Sequence, residues 1–88
     1  MKVKPGFELR NVCGENVIMA TSIDNVDYSK LLVLTESAAM LFKLIEKDDL
    51  TADQLTDALC EEYEVSRDKA LADVQAFMMQ MQELEVAE

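Results

Sequence analysis

The chain has 88 residues, of which half are apolar and 30% are charged, a composition typical of a folded globular domain. Its length predicts a single domain over residues 1–88, and its two distant cysteines, without a signal peptide, predict free thiols in the cytoplasm. The net charge is −10 and the Lys and Arg residues are scattered, which argues against binding to nucleic acid; no apolar run is long enough to span a membrane.

Strand and turn signals dominate the first part of the chain. Phe7–Val12 alternates apolar and polar residues, which predicts a strand with one buried face. A short hairpin loop is predicted at Cys13–Asn16, followed by a returning strand at Val17–Ala20. A turn is predicted at Asp24–Asp27, where Asx side chains can bond to nearby backbone. The third strand is predicted at Tyr28–Leu34.

Helical periodicity replaces these signals after residue 35. The first helix is predicted to begin at Glu36, with Thr35 as its N-cap. The capping box Thr51–Gln54 begins the second helix, and Ser66 caps a third helix that runs to about Glu83. Three strands followed by three helices make an α+β fold. The short connection between the second and third helices predicts a winged helix-turn-helix-like arrangement.

The sequence carries no pattern typical of an active site. It has no histidine, which removes the commonest general base, and only two glycines, too few for a phosphate-binding loop. Ser66–Lys69 has the spacing S-x-x-K, but it lies at a helix start without any partner motif. We therefore predict a protein that is not an enzyme and that holds no metal and no cofactor.

The third strand is more apolar than a strand with one solvated face should be. Leu31–Leu34 is apolar at every position, so both faces of the strand are apolar. One interpretation is a central strand that is covered on both faces. The other is an edge strand whose open backbone ladder is completed by an extended peptide.

The third helix has an apolar set wider than a single stripe. Leu71, Met78 and Met79 flank the face that contains Val74 and Phe77. This pattern is compatible with a broad core face or with a dimer contact. Because methionine is flexible and polarisable, it is also typical of surfaces that accept varied apolar side chains. Together with the apolar strand, it favours a groove for an extended peptide.

Three short segments resemble proteins of the PqqD-like family: Phe7–Arg10, Leu34–Ala39 and Asp73–Phe77. Thr35 stands where the family usually has Asn, and both residues are good helix caps. The resemblance extends over residues 7–86. It implies a three-stranded antiparallel sheet packed on a three-helix winged-helix unit, in agreement with the elements predicted above.

The resemblance also implies a function. Proteins of this family, and the related recognition domains of ribosomally synthesised, modified peptides (RiPPs), bind the leader of a precursor peptide. They present it to a maturation enzyme, often a radical S-adenosylmethionine (SAM) enzyme. The leader adds as a strand beside strand three and lies against helix three, which leaves Leu34 and Val74 in the core. The implied peptide-binding residues are Lys30, Leu31, Leu32, Val33, Leu71, Gln75, Met78 and Met79.

Two other functions are compatible with the same fold. A winged-helix regulator would place helix three in the major groove of DNA, although its only basic residues, Arg67 and Lys69, lie at its start. A structural subunit would stabilise a biosynthetic enzyme without binding its substrate. The resemblance does not establish synthesis of pyrroloquinoline quinone (PQQ), because such domains serve several pathways. Either a monomer or a homodimer is compatible with the sequence.

Overall fold

A computed structural model of the chain describes residues 1–20 and 30–88, with the backbone alone at residues 30 and 31. The predicted turn at Asp24–Asp27 and the first two residues of the predicted third strand, Tyr28 and Ser29, lie outside the described residues. The elements are β1 (Phe7–Val12), β2 (Glu15–Ala20), β3 (Lys30–Leu34), α1 (Glu36–Lys47), α2 (Ala52–Glu62) and α3 (Arg67–Glu83). The three strands form an antiparallel sheet in the order β1-β2-β3, which confirms the predicted α+β fold. Of the helices in the described residues, none has the length and hydrophobicity needed to cross a bilayer.

The hairpin between β1 and β2 is tighter than predicted. Its loop is only Cys13 and Gly14, with φ values of 54° and 84°. Positive φ at both central residues is the pattern of a type I′ turn, whose twist matches that of the flanking strands. Because this turn needs two residues rather than four, β2 begins at Glu15, two positions before the predicted Val17.

The helix starts follow the predicted capping residues. The Thr35 hydroxyl accepts a hydrogen bond from the Ala38 N–H, and the Ser66 hydroxyl caps α3 in the same way. At α2 the capping box is complete: the Thr51 hydroxyl accepts from the Gln54 N–H at 3.2 Å, and the Gln54 side chain accepts from the Thr51 N–H at 2.9 Å. Each cap satisfies backbone N–H groups that have no partner within the helix.

The core lies between one face of the sheet and the three helices. Leu34 and Val74 are buried in it, as predicted. Phe42 is fully buried at its centre. The other large buried side chains of this core are Ile18, Leu41, Ile45, Leu55, Leu59, Phe77, Met81 and Val86.

The two ends of the chain pair with each other beside the end of α3. The backbones of Lys2 and Glu88 exchange hydrogen bonds of 2.9 and 3.0 Å, and the Lys4 N–H donates to the Val86 carbonyl at 2.8 Å. Val86 and Ala87 are buried by this arrangement. The pairing anchors the segment before β1 against the helices.

The end of α3 is a Schellman motif with an unusual residue in it. Val86 N–H donates to the Met81 carbonyl at 2.9 Å, and Glu85 N–H donates to the Gln82 carbonyl at 3.1 Å. Glu85 has a φ of 58°, the left-handed conformation for which glycine is the usual residue. Its carboxylate also lies at the negative end of the helix dipole.

We expect Glu85→Gly to raise the free energy of unfolding by about 1 kcal/mol, because glycine has no Cβ to clash in the left-handed conformation. Urea denaturation followed by far-ultraviolet circular dichroism measures the change. Glu85→Gln is the matched control, since it removes the charge but keeps the Cβ, and we expect it to gain only a few tenths of a kcal/mol. Equal gains in both variants would show that charge, not backbone conformation, limits stability at this position.

Candidate functional site

β3 lies at the edge of the sheet. One side of it pairs with β2, and within residues 1–20 and 30–88 no strand pairs with its other side. An open strand edge presents unpaired N–H and C=O groups to which an extended chain can add. Of the two interpretations of the apolar third strand, the described structure therefore agrees with the edge strand.

The tight turn determines which residues of β2 direct their backbone groups toward β3. A turn of this type is closed by a hydrogen bond from the Glu15 N–H to the Val12 carbonyl, so this pair faces inward between β1 and β2. Hydrogen-bonded and non-hydrogen-bonded pairs alternate along an antiparallel ladder. Val17 therefore directs its N–H and C=O toward β1, whereas Asn16 and Ile18 direct theirs toward β3.

The register between β2 and β3 then identifies the backbone groups at the open edge. Asn16 pairs with Leu34, and Ile18 pairs with Leu32, so these two β3 residues direct their N–H and C=O groups toward β2. Val33, between them, directs its N–H and C=O outward. Val33 is thus the residue of this stretch whose backbone is available to a further strand.

The described side chains of β3 lie on two faces of the strand, and only one of these faces packs against the core. Leu34 is buried and Leu32 packs against the core, whereas the Val33 side chain is 50% exposed on the other face. The pairing is irregular just before these residues, because Ile18 pairs with Leu32 while Met19 pairs with Lys30. A bulge of this kind bends an edge strand and locally interrupts its ladder.

A hollow lies where β3 ends, between the start of α1 and the middle of α3. Its volume is about 340 Å³, and a neighbouring hollow of about 280 Å³ continues it toward Tyr63 and Val65 after α2. The two share Thr35, the residue that directly follows β3. We call the pair of hollows the α1–α3 groove. The first hollow is lined by Thr35, Ser37, Ala38, Leu41, Leu59, Asp73, Ala76, Phe77 and Gln80.

The α1–α3 groove combines an apolar floor with a polar rim. Leu41, Leu59 and Phe77 belong to the buried core and form the apolar floor of the groove. The rim carries the Thr35 hydroxyl, which already caps α1, and the Asp73 carboxylate. Such a site can take an apolar side chain and can bind polar groups at its margin.

The side of α3 that faces the groove differs from the side that the resemblance implied. The buried stripe of α3 consists of Ala70, Val74, Phe77 and Met81. At 100° per residue, Asp73, Ala76 and Gln80 lie on one side of this stripe, and they line the groove. No signal in the sequence distinguished this side of the helix from the other.

The four implied α3 residues do not line the α1–α3 groove. Leu71, Gln75 and Met78 lie on the opposite side of the buried stripe, and Met79 lies on the outer face with 61% of its surface exposed. Met78 packs against the core. On β3, the structure places the backbone of residues 30–33 at the open edge of the sheet. This edge lies close to the groove, because Thr35, which directly follows β3, lines it. A role of either set in peptide binding remains a prediction.

The basic residues of α3, a helix described over its whole length, are both paired with acidic groups. Arg67 donates to Asp57 and lies 3.7 Å from Asp53, and Lys69 lies 3.5 Å from Asp73. The hydrogen bond to Asp57 and the charge of its carboxylate raise the pKa of the Arg67 guanidinium above its usual value. A helix that presents paired charges and a net acidic surface is poorly suited to the phosphates of DNA.

Comparison with known proteins agrees with this fold. The family model described as coenzyme PQQ synthesis protein D (PqqD) matches residues 20–86. The structure of TbiB1 in complex with the TbiA(beta) leader peptide has the same fold, with a TM-score of 0.77 over 100% of this chain and 95% of that chain, at 20% sequence identity. No curated protein matches the sequence significantly. Since the family model covers well over half of its length, the chain belongs to the PqqD family.

Proposed function

We propose that this protein binds the leader segment of a ribosomally synthesised precursor peptide and presents it to a maturation enzyme. One observation carries the proposal: the open edge of β3 ends at Leu34, and the next residue, Thr35, lies on the rim of an apolar groove. An extended peptide can therefore bind both features at once. Membership of the PqqD family supports this function, as does the likeness to TbiB1, which binds a leader peptide.

In the proposed binding mode, the leader adds to β3 as a fourth strand. Its backbone would exchange hydrogen bonds with the outward N–H and C=O of Val33, which fixes the register of the peptide. One of its apolar side chains would enter the α1–α3 groove beside Phe77 and Ala76. We retain Lys30, Leu31, Leu32 and Val33 as proposed contacts on the strand. On α3, the geometry of the groove favours Asp73, Ala76, Phe77 and Gln80 as the contacts.

The role that we propose is that of an adaptor without catalytic activity. Chemistry would belong to the partner, for which a radical SAM enzyme is our first candidate. We propose the cytoplasm as the location, because the thiols of Cys13 and Cys60 are both unpaired. The whole chain would act as one domain, as a monomer when it is bound to peptide, since the leader would occupy the edge through which β3 could pair with a second copy.

A display experiment tests peptide binding even when the sequence of the leader is unknown. A library of random fifteen-residue peptides is selected on the immobilised protein, and the enriched peptides are synthesised and titrated by fluorescence anisotropy. Hydrogen exchange of the complex should then show protection in β3 and along the groove side of α3. Failure to enrich any peptide over a blank surface, or protection confined to other elements, would refute the proposal.

A second experiment separates an adaptor from a purely structural subunit. Candidate maturation enzymes encoded beside the gene are captured on the tagged protein, with and without precursor peptide. An adaptor retains both the enzyme and the precursor, whereas a structural subunit retains the enzyme while the precursor does not bind to the isolated protein.

A further inference from the structure

The charged residues that line the α1–α3 groove are acidic. Asp73 lines both hollows, and Glu36 lines the second. Among the described residues that line the two hollows, none is basic. An apolar floor with carboxylates on its margin attracts a different peptide from one with a neutral margin, because a basic group of the peptide can remain at the rim while its apolar neighbour is buried.

Asp73 is held by a contact that a peptide can replace. Its carboxylate lies 3.5 Å from the Lys69 ammonium, one helical turn earlier, and its side chain remains 49% exposed. Exposed ion pairs of this i,i+4 type contribute little to stability. Exchange of the Lys69 ammonium for a cation on a bound peptide therefore costs little.

We propose that Asp73 determines the sequence specificity of the groove: it selects peptides that carry Lys or Arg beside the apolar side chain that fills the groove. The inference rests on the proposed function and adds to it the chemical class of the ligand. The cation of the peptide takes the place of the Lys69 ammonium at the Asp73 carboxylate. Lys69 thus competes with the peptide for the Asp73 carboxylate, and replacing Lys69 by an uncharged residue should strengthen peptide binding.

The test repeats the random fifteen-residue selection on the wild-type protein and on Asp73→Asn in parallel. Peptides enriched on the wild type should share an apolar residue with Lys or Arg at a fixed spacing from it, and this basic position should disappear on Asp73→Asn. A peptide from the first selection should bind about two- to fivefold more weakly to Asp73→Asn. It should bind more tightly to Lys69→Gln than to the wild type.

Two controls separate a local contact from the overall charge of the protein. Glu83→Gln makes the same change in net charge on the same helix, at an exposed position that does not line the groove. It should leave peptide affinity unchanged within about a factor of 1.5, since distant exposed charges are screened. The peptide whose Lys or Arg is replaced by Gln should bind equally well to the wild type and to Asp73→Asn. Circular dichroism confirms that each variant is folded.

The outcomes distinguish failure of this inference from failure of the proposed function. Enriched peptides that bind through β3 but lack a basic position would overturn the role of Asp73 and leave peptide binding intact. Equal losses for Asp73→Asn and Glu83→Gln would overturn it as well, because the effect would then be one of net charge. If no peptide is enriched on either protein, the proposed function itself fails.

Discussion

Val33→Pro should weaken the binding of a selected peptide at least about tenfold while the protein remains folded. The outward N–H of Val33 is the group that we expect to pair with the peptide, and proline lacks it. The proline ring would also occupy the open edge. Because this N–H makes no bond to β2, the sheet itself loses no ladder hydrogen bond, and proline is tolerated at such edge positions. Fluorescence anisotropy titration measures the affinity, and urea denaturation measures the stability.

Two matched variants make the Val33 result interpretable. Val33→Thr keeps both the N–H and the β-branched shape, and we expect its peptide affinity to stay within about a factor of two of the wild type. Leu32→Pro removes an N–H that faces β2, so it should lower the free energy of unfolding markedly, whereas Val33→Pro should not. Normal peptide affinity in Val33→Pro would exclude strand addition at this edge.

Phe42→Ala should lower the free energy of unfolding by about 3–5 kcal/mol. Phe42 is fully buried in the core between the sheet and the helices, so its loss leaves a cavity that the surrounding elements can only partly fill. Since a domain of this kind is stable by only about 5–15 kcal/mol in total, a large share of the protein would be unfolded under mild denaturing conditions. The midpoint of urea denaturation, followed by circular dichroism, measures the loss.

The matched control for Phe42 is a smaller reduction in volume at the same site. Phe42→Leu retains most of the apolar contact, and we expect it to cost about 1–1.5 kcal/mol. The difference between the two variants isolates the effect of the cavity. A loss below about 1 kcal/mol for Phe42→Ala would contradict the central position of this side chain in the core.

Local sequence signals predicted the elements because their causes are local. The hydroxyl of Thr35, Thr51 or Ser66 accepts a hydrogen bond from the backbone N–H three residues later, so each helix start followed from a few neighbouring residues. The alternation in Phe7–Val12 likewise predicted β1 to the residue. The predicted start of β2 was wrong by two residues, because cysteine is not among the residues expected at positive φ in a hairpin loop.

The sequence by itself determined the α+β order of elements, the caps and the apolar stripes, all of which depend on contacts within a few residues. The tertiary structure alone decided the geometry of the candidate site. The edge position of β3 and the outward direction of the Val33 backbone depend on pairing with β2. A helical period places residues on both sides of a buried stripe alike, so only the position of α3 relative to α1 shows that Asp73 and Gln80, rather than Leu71 and Met78, line the groove.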